Sequence, residues 1–163
     1  MNSSVTIVNE KDEIIGHKSS EKINQEDIYR VSALWITNSK GQILLAQRAF
    51  TKKNGPGKWG PAVAGTVENG ETYRKNIIKE AEEELGLENI KPIKGQKKRV
   101  FGKHNFFCQM YSLKIDRQIK DFKIQRDEVE RVKWISKKEL EQKIKSKPEI
   151  FISSMKMWVG LMC

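Results

Sequence analysis

Alternating apolar and polar positions in the first third of the chain predict a series of β-strands. The runs IYRVSALWIT (28–37) and GQILLAQRAF (41–50) are rich in apolar and β-branched residues, and the intervening NSKG is typical of a hairpin turn. The shorter runs VTIVNE (5–10) and EIIGHKSS (13–20) predict an opening hairpin. The segment TKKNGPGKWGP (51–61) concentrates glycine, proline and lysine, which predicts a loop.

The pattern then changes to helical spacing. The stretch from Glu71 to Leu85 contains neither proline nor glycine, carries an apolar stripe, and is followed by Gly86, so it predicts one capped α-helix. Strands and helices follow in mixed order, which predicts an α+β fold with a mixed sheet flanked by helices. The later predicted strands are 96–102, 105–115 and 129–136, and the later predicted helices are 137–145 and the segment from about Ile150 onward.

Length and composition favour one ordinary globular domain. A chain of 163 residues can bury a core of its own, so we predict a single domain spanning residues 1–163. No apolar run is long enough for a membrane span, and the first residues do not resemble a secretion signal. We therefore expect a cytoplasmic protein with no membrane partner, whose two cysteines, Cys108 and Cys163, are free thiols.

The chain is strongly basic. Its formal net charge is +10, and lysine and arginine are spread along the sequence rather than gathered in a tail. This charge is compatible with a nucleic-acid surface, a phosphorylated substrate or simply solvated lysine-rich faces. Composition does not decide between them, and we favour solvated faces, with nucleic-acid binding possible.

One cluster of acidic residues stands out against this basic background. Glu80, Glu83 and Glu84 are three and four positions apart in the predicted helix, so they share one face. Three carboxylates held this close repel one another unless a cation lies between them, and hard divalent ions prefer such oxygen ligands. The alternative is a solvated acidic face, which is common because glutamate is a good helix former.

The residues around this cluster carry a resemblance. From Gly65 the chain reads glycine, five residues, Glu71, seven residues, then KEAEEELGL from Lys79, and this resembles the Nudix box G-x5-E-x7-R-E-U-x-E-E-x-G-U. The one departure is Lys79, where the family has arginine, a planar donor that can hold two carboxylate oxygens. The resemblance implies a Nudix fold, an α/β/α sandwich with a mixed sheet.

The resemblance also implies an activity. A Nudix hydrolase cleaves a phosphoanhydride bond in a nucleoside diphosphate-type or related diphosphate, using Mg²⁺ or Mn²⁺ to neutralise the diphosphate and to activate water. Glu71 is then structural, and Glu80 or Glu84 is the candidate catalytic base. The implied metal ligands are the carboxylates of Glu80, Glu83 and Glu84 and a backbone carbonyl at Ala64 or Gly65.

A second resemblance narrows the branch of the superfamily. The segment from Tyr29 to Leu87, and later RDEVERVKWIS, resembles the isopentenyl diphosphate isomerases of the Nudix superfamily. The isomerase chemistry is nevertheless missing, so the chain resembles an isomerase-like Nudix hydrolase. The isomerase's catalytic cysteine falls at Ala64, its nearby metal-binding histidine at Thr66, a further histidine at Tyr29, and its Glu-Asn-Glu motif at His104, Asn105 and Phe106.

Other charged residues have weaker candidate roles. Arg48 and Lys58 flank the glycine-rich loop and are candidate ligands of substrate phosphates, although a solvated basic loop explains them equally well. Glu128 is a candidate accessory carboxylate. We keep two alternatives to hydrolysis, an isomerase-like enzyme and a non-catalytic nucleotide- or RNA-binding Nudix module. The apolar C-terminal run MKMWVGLMC predicts a helix packed on the core, or an interface in an oligomer whose state the sequence does not fix.

Overall fold

The structure is a computed structural model that describes residues 3–163, and residues 1 and 2 of the predicted domain lie outside this part. Within it the chain forms nine strands and three α-helices. The strands are β1 (Ser4–Val8), β2 (Ile14–Ser19), β3 (Ile28–Thr37), β4 (Ile43–Arg48), β5 (Trp59–Pro61), β6 (Val63–Thr66), β7 (Ile93–Val100), β8 (Asn105–Lys114) and β9 (Val129–Ile135), and the helices are α1 (Tyr73–Leu85), α2 (Lys137–Ser146) and α3 (Met155–Met162).

Strand β3 is the centre of a mixed sheet. Along one edge it pairs in parallel with β8, which continues antiparallel to β7. Along its other edge it pairs antiparallel with β1, then β6, then β4. Strand β4 also pairs with β5 and β9, and β1 pairs with β2. The mixed sheet predicted from the sequence is therefore confirmed.

Both faces of the sheet are covered by helices. Because successive side chains of a strand point to opposite faces, Leu34 and Ile36 of β3 pack in the same apolar cluster as helix α1. The alternate residues, Ala33 and Trp35, pack with residues of α2 and α3 in a second cluster. This arrangement is the predicted α/β/α sandwich, and helix α3 packs on the core through the buried Met155 and Trp158.

The helices were predicted correctly from the sequence, but some of their first residues were not. Helix α1 begins at Tyr73 rather than Glu71, because the Thr72 side chain caps it by accepting a 3.1 Å hydrogen bond from the amide of Lys75. Its end is as predicted, with Gly86 in the left-handed conformation at φ 65°. The last helix starts at Met155 rather than near Ile150, since a 3₁₀ turn over Pro148–Ile150 comes first.

Two other local predictions need correction. The predicted loop over 51–61 ends in strand β5, which pairs with β4. The predicted strand 96–102 starts earlier, at Ile93, and pairs with β8 across an irregular register. No helix among residues 3–163 is long and apolar enough to cross a membrane.

Candidate active site

An acidic cavity of about 300 Å³ opens where strand β6 meets helix α1. Glu80 and Glu84 of α1 line one wall, and the backbone of Gly65 in β6 lies beside them. Other charged residues come from β4, the loop that follows it, the segment after β6 and the segment before β9. These are Arg48, Lys52, Glu68 and Glu128.

The position of the Glu80 side chain depends on the absence of a side chain at Gly65. A Cβ atom at position 65 would lie 2.5 Å from Cγ and 2.6 Å from Cδ of Glu80, closer than such atoms approach one another in proteins. Only a residue without a side chain allows the Glu80 carboxylate to lie against this strand. Strand β6 is itself fixed by antiparallel pairing of Gly65 with Ser32 in β3.

A buried amide, Asn76, links the same elements and was missed by the sequence analysis. Asn76 is fully buried, and its amide nitrogen lies 2.9 Å from Oε2 of Glu71, 3.0 Å from the carbonyl oxygen of Thr66 and 3.3 Å from Oε1 of Glu80. Its carbonyl accepts a hydrogen bond from the Ser32 hydroxyl. The signal that could have revealed it is its position four residues before Glu80, which places it on the same face of the helix as that glutamate.

Lys79 occupies the position of the family's arginine and gathers three carboxylates. Its ammonium lies 2.7 Å from Glu71, 3.3 Å from Glu68 and 3.7 Å from Glu80. Burial opposes the charged form, but the hydrogen bonds to Glu71 and Glu68 prevail and raise the pKa of Lys79. Lys79 is therefore positively charged at neutral pH, and its shortest contact is with Glu71 rather than with Glu80.

Burial in the cavity disfavours the charged forms of Glu80 and Glu84. Burial raises the pKa of Glu80 to about 7; Lys79 opposes the shift, and the negative charge of Glu83 adds to it. Glu84 is 8% exposed, and burial raises its pKa well above the usual value, with a further contribution from Glu80. Within residues 3–163 no side chain donates a hydrogen bond to the Glu84 carboxylate. A cation bound between them would stabilise such a pair.

The basic residues around the cavity are already held in place. Lys52 forms an ion pair with Glu128 at 2.5 Å, so the candidate accessory carboxylate reaches the cavity together with a positive charge. Nε of Arg48 donates to the carbonyl of Asn54 at 2.8 Å, which ties this strand residue to the glycine-rich loop. Lys58 does not line the acidic cavity and belongs to a neighbouring one.

The structure therefore brings together most, but not all, of the residues that the sequence indicated. Gly65, Glu80, Glu84, Arg48 and Glu128 line one cavity. Glu83 is exposed and does not line it, although its charge acts on Glu80. Among residues 3–163 no three acidic, histidine or cysteine side chains are arranged to hold one ion. Glu68 and Glu71 instead lie 3.3 Å and 2.7 Å from the ammonium of Lys79.

Known proteins place the chain in a family. The NUDIX domain family matches residues 28–154. A Nudix hydrolase of unknown specificity from Listeria monocytogenes is 30% identical over 139 residues, covering 83% of this chain and 80% of the relative. The crystal structure of a Deinococcus radiodurans protein superposes with a TM-score of 0.83 at 22% identity, covering 96% of this chain and 97% of that one.

The chain belongs to the Nudix family, and it is a hydrolase that acts on diphosphate bonds. Enzymes of this family generally use divalent metal ions, and their substrates are small molecules containing a diphosphate. The likeness to isomerases is local: an isopentenyl-diphosphate Delta-isomerase from Escherichia coli is 40% identical over 58 residues, which is 36% of this chain and 32% of the isomerase.

Proposed function

We propose that the acidic cavity hydrolyses a phosphoanhydride bond in a nucleoside diphosphate-type or related small diphosphate, with Mg²⁺ or Mn²⁺ bound by Glu80 and Glu84. The observation that carries this proposal is the pair of carboxylates itself. Both lie on one wall of a cavity that arginine and lysine also line, and burial raises the pKa of each. This combination suits a cation that is bound by the carboxylates and that contacts an anionic substrate.

The donor set fits a hard divalent ion. Carboxylate and carbonyl oxygens are the ligands that Mg²⁺ and Mn²⁺ prefer, and Mg²⁺ completes its shell with water and substrate phosphates. Glu80 and Glu84 would supply two ligands, the Gly65 carbonyl a third, and Glu83 a fourth after a change of rotamer. A bound ion would neutralise the diphosphate and lower the pKa of coordinated water.

The protein's own groups would do the remaining work. Arg48 and Lys52 also line the cavity, and their positive charges would hold the phosphate oxygens. Glu80 is held by Gly65 and Asn76, and it or Glu84 would accept the proton of the attacking water. Glu128 would position Lys52 through their ion pair, and would become an accessory carboxylate where Lys52 moves to the substrate.

Turnover of a diphosphate panel tests this proposal. The purified protein is incubated with nucleoside diphosphates, nucleotide sugars and dinucleotides with Mg²⁺ or Mn²⁺, and products are identified by mass spectrometry. We expect Glu84→Gln and Glu80→Gln to lower turnover on the order of 100-fold or more, because each removes a charge from the site. Calorimetric titration of Mn²⁺ should show a weakened site in both variants.

Glu82→Gln is the matched control. Glu82 is exposed on the same helix and does not line the cavity, so this variant loses an equal charge outside the site. We expect it to retain turnover and Mn²⁺ affinity. Unchanged Mn²⁺ binding and turnover in both Glu80→Gln and Glu84→Gln would contradict the proposed site.

A further inference from the structure

Gln47 of β4 has both ends of its side-chain amide engaged by the protein. The residue is 7% exposed and lines the acidic cavity. Its amide nitrogen donates to the carbonyl oxygen of Gly57 at 2.8 Å, and its amide oxygen accepts a 2.7 Å hydrogen bond from Nε of Arg131. A guanidinium only donates hydrogen bonds, so Arg131 fixes which end of the amide points to Gly57. The charge of the donor also makes this the stronger of the two hydrogen bonds.

Gly57 lies near the end of the loop over residues 49–58, which joins β4 to β5. Its φ is 70°, a conformation that glycine adopts without strain, and its amide donates to the carbonyl oxygen of Arg48 at 3.1 Å. The same loop holds the side chain of Arg48, since Nε of that residue donates to the carbonyl oxygen of Asn54 at 2.8 Å. The loop also carries Lys52, which lines the acidic cavity with Arg48. The hydrogen bond that holds Gly57 therefore fixes the loop on which both positively charged side chains of the acidic cavity depend.

Arg131 of β9 reaches Gln47 from outside the acidic cavity. The two residues are opposite one another in the antiparallel pair of β4 and β9. Arg131 is exposed and lines neither the acidic cavity nor the neighbouring one. On the other edge of β4, Gln47 is opposite Trp59 of β5, and the guanidinium of Arg131 lies 5.5 Å from the centroid of the Trp59 ring. Three strands thus hold the guanidinium against an amide and an indole, and its contact with the wall of the cavity is through Gln47.

We infer that Arg131 is a positioning residue for substrate binding. It fixes the amide of Gln47, which holds Gly57 and with it the loop that follows β4. The loop in turn keeps Arg48 and Lys52 at the acidic cavity. The inference rests on the proposed function, in which those two side chains bind the phosphates of the substrate. Loss of Arg131 then weakens substrate binding, while the carboxylates of helix α1, which lie outside the loop, keep their geometry.

Steady-state kinetics of Arg131→Met separate substrate binding from the reaction. On a substrate found in the diphosphate panel, we expect this variant to raise KM about tenfold, the effect of losing one hydrogen bond to a charged group, and to leave kcat within about threefold. Arg131→Lys keeps a charged donor and should recover most of the lost affinity. Gln47→Met, which removes the amide and keeps an unbranched side chain, should raise KM as well. Because the two residues act in series, the double variant should have the KM of Gln47→Met to within about twofold.

Lys133→Met is the matched control. Lys133 lies on the same strand as Arg131, and its ammonium is 4.2 Å from the centroid of the same Trp59 ring. It lines neither cavity, and it is opposite Leu45 rather than Gln47. This variant therefore loses an equal charge and a similar ring contact but leaves the amide of Gln47 in place. Its KM should stay within about twofold of that of the unmodified protein.

Calorimetric titration of methylene diphosphonate with Mg²⁺ makes the same comparison without turnover, so a failure of this inference is distinguishable from a failure of the proposed hydrolysis. Weaker binding in Arg131→Met but not in Lys133→Met supports the inference even where no member of the panel is hydrolysed. Urea denaturation checks the folding of each variant, and because Arg131 is exposed, its replacement tests the inference even where Gln47→Met does not fold. Equal affinities of Arg131→Met and Lys133→Met for the probe, or additive effects of Arg131→Met and Gln47→Met on KM, would overturn the inference.

Discussion

At Gly65 the absence of one methyl group determines where the Glu80 carboxylate lies. An alanine there would meet Cγ and Cδ of Glu80 at 2.5 and 2.6 Å, so the glutamate would have to leave its position against β6. The clash involves a side chain rather than backbone, and rotation of Glu80 relieves it. The cost of the substitution therefore falls mainly on the geometry of the site rather than on the fold.

We predict that Gly65→Ala lowers turnover at least on the order of tenfold, because a misplaced reactive group loses catalytic orientation steeply. Its free energy of unfolding should change by no more than about 1 kcal/mol, a typical value for substitutions without a core cavity. Steady-state kinetics and chemical denaturation measure the two effects. Gly16→Ala is the control, since nothing lies within 4 Å of a Cβ at that position. Full activity in Gly65→Ala would show that Glu80 need not lie where it does.

Lys79 is the one residue at which this chain departs from its family's motif. Its single ammonium lies within 4 Å of three carboxylates, and only the contact with Glu71 is short. An ammonium is a point charge, whereas a guanidinium presents a planar fork that can bond two carboxylates at once.

We predict that Lys79→Arg preserves turnover or raises it by a few-fold, because arginine can bond Glu71 and Glu80 together. Lys79→Gln, which keeps a polar side chain without the charge, should lower both turnover and stability. Kinetics on the best substrate of the panel, with circular dichroism as a check on folding, compare the variants. A large loss of turnover in a folded Lys79→Arg protein would mean that the space around residue 79 accepts only lysine.

Helix α1 shows what sequence patterns predict well and where they stop. Its existence, its apolar stripe and its glycine cap follow from local rules, so they were predicted. Its first residue was not, because Thr72 caps the helix after Glu71 has turned back to accept hydrogen bonds from the backbone of Glu68 and from Asn76. The residue at which a helix begins or ends depends on such contacts as much as on helix propensity.

The carboxylates of α1 give the metal-free protein an unusual pH dependence. The pKa of Glu80 rises from 4.5 to about 7 on folding, so the folded state binds more protons between these values and stability falls as pH rises through them. Below pH 4.5 Glu80 is protonated in both states, and above pH 7 its contribution is a constant penalty. Glu84 acts in the same direction.

We predict that metal-free wild-type protein loses on the order of 2 kcal/mol relative to Glu80→Gln between about pH 4.5 and 7. Adding Mg²⁺ or Mn²⁺ at neutral pH should restore much of this lost stability in the wild-type protein, because a bound ion compensates the charge of Glu80. The same addition should stabilise Glu80→Gln less. Urea denaturation at several pH values, with and without metal, measures the difference. A wild-type protein that gains stability relative to Glu80→Gln over this range would contradict the sign.

Over the whole molecule, the site was most predictable where it is continuous in sequence, although the candidates Arg48 and Glu128 also line the cavity. The glutamates of α1 and Gly65 lie within one motif, and their spacing was enough to predict them. Asn76 lies inside that motif at a position it leaves undefined. Ile152 reaches the acidic cavity from a distant part of the chain, through a bridge between Phe151 and β5, and Phe101 lines the neighbouring cavity through pairing of β7 with β8. Such contacts follow from the sheet order and not from any local pattern.

The whole-chain comparison also decides between hydrolase and isomerase chemistry. Similarity to isomerases covers about a third of the chain, whereas similarity to a Nudix hydrolase covers 83% of it. Moving a double bond requires an acid that protonates carbon and a base placed across the hydrocarbon. Ala64 in the acidic cavity and Phe106 in the neighbouring one cannot exchange protons. Cys108, on the same face as Phe106, is fully buried, and burial raises the pKa of its thiol to about 12.

We therefore predict that the protein does not isomerise isopentenyl diphosphate, while Glu80 and Glu84 retain what hydrolysis requires. The purified protein is incubated with isopentenyl diphosphate and Mg²⁺ in deuterated water, and proton NMR follows the product. We expect no dimethylallyl diphosphate beyond a sample without protein, in the same preparation that hydrolyses a member of the diphosphate panel. Catalytic formation of deuterated dimethylallyl diphosphate would require an acid and a base that Ala64, Phe106 and the buried Cys108 do not provide, and would reverse the assignment.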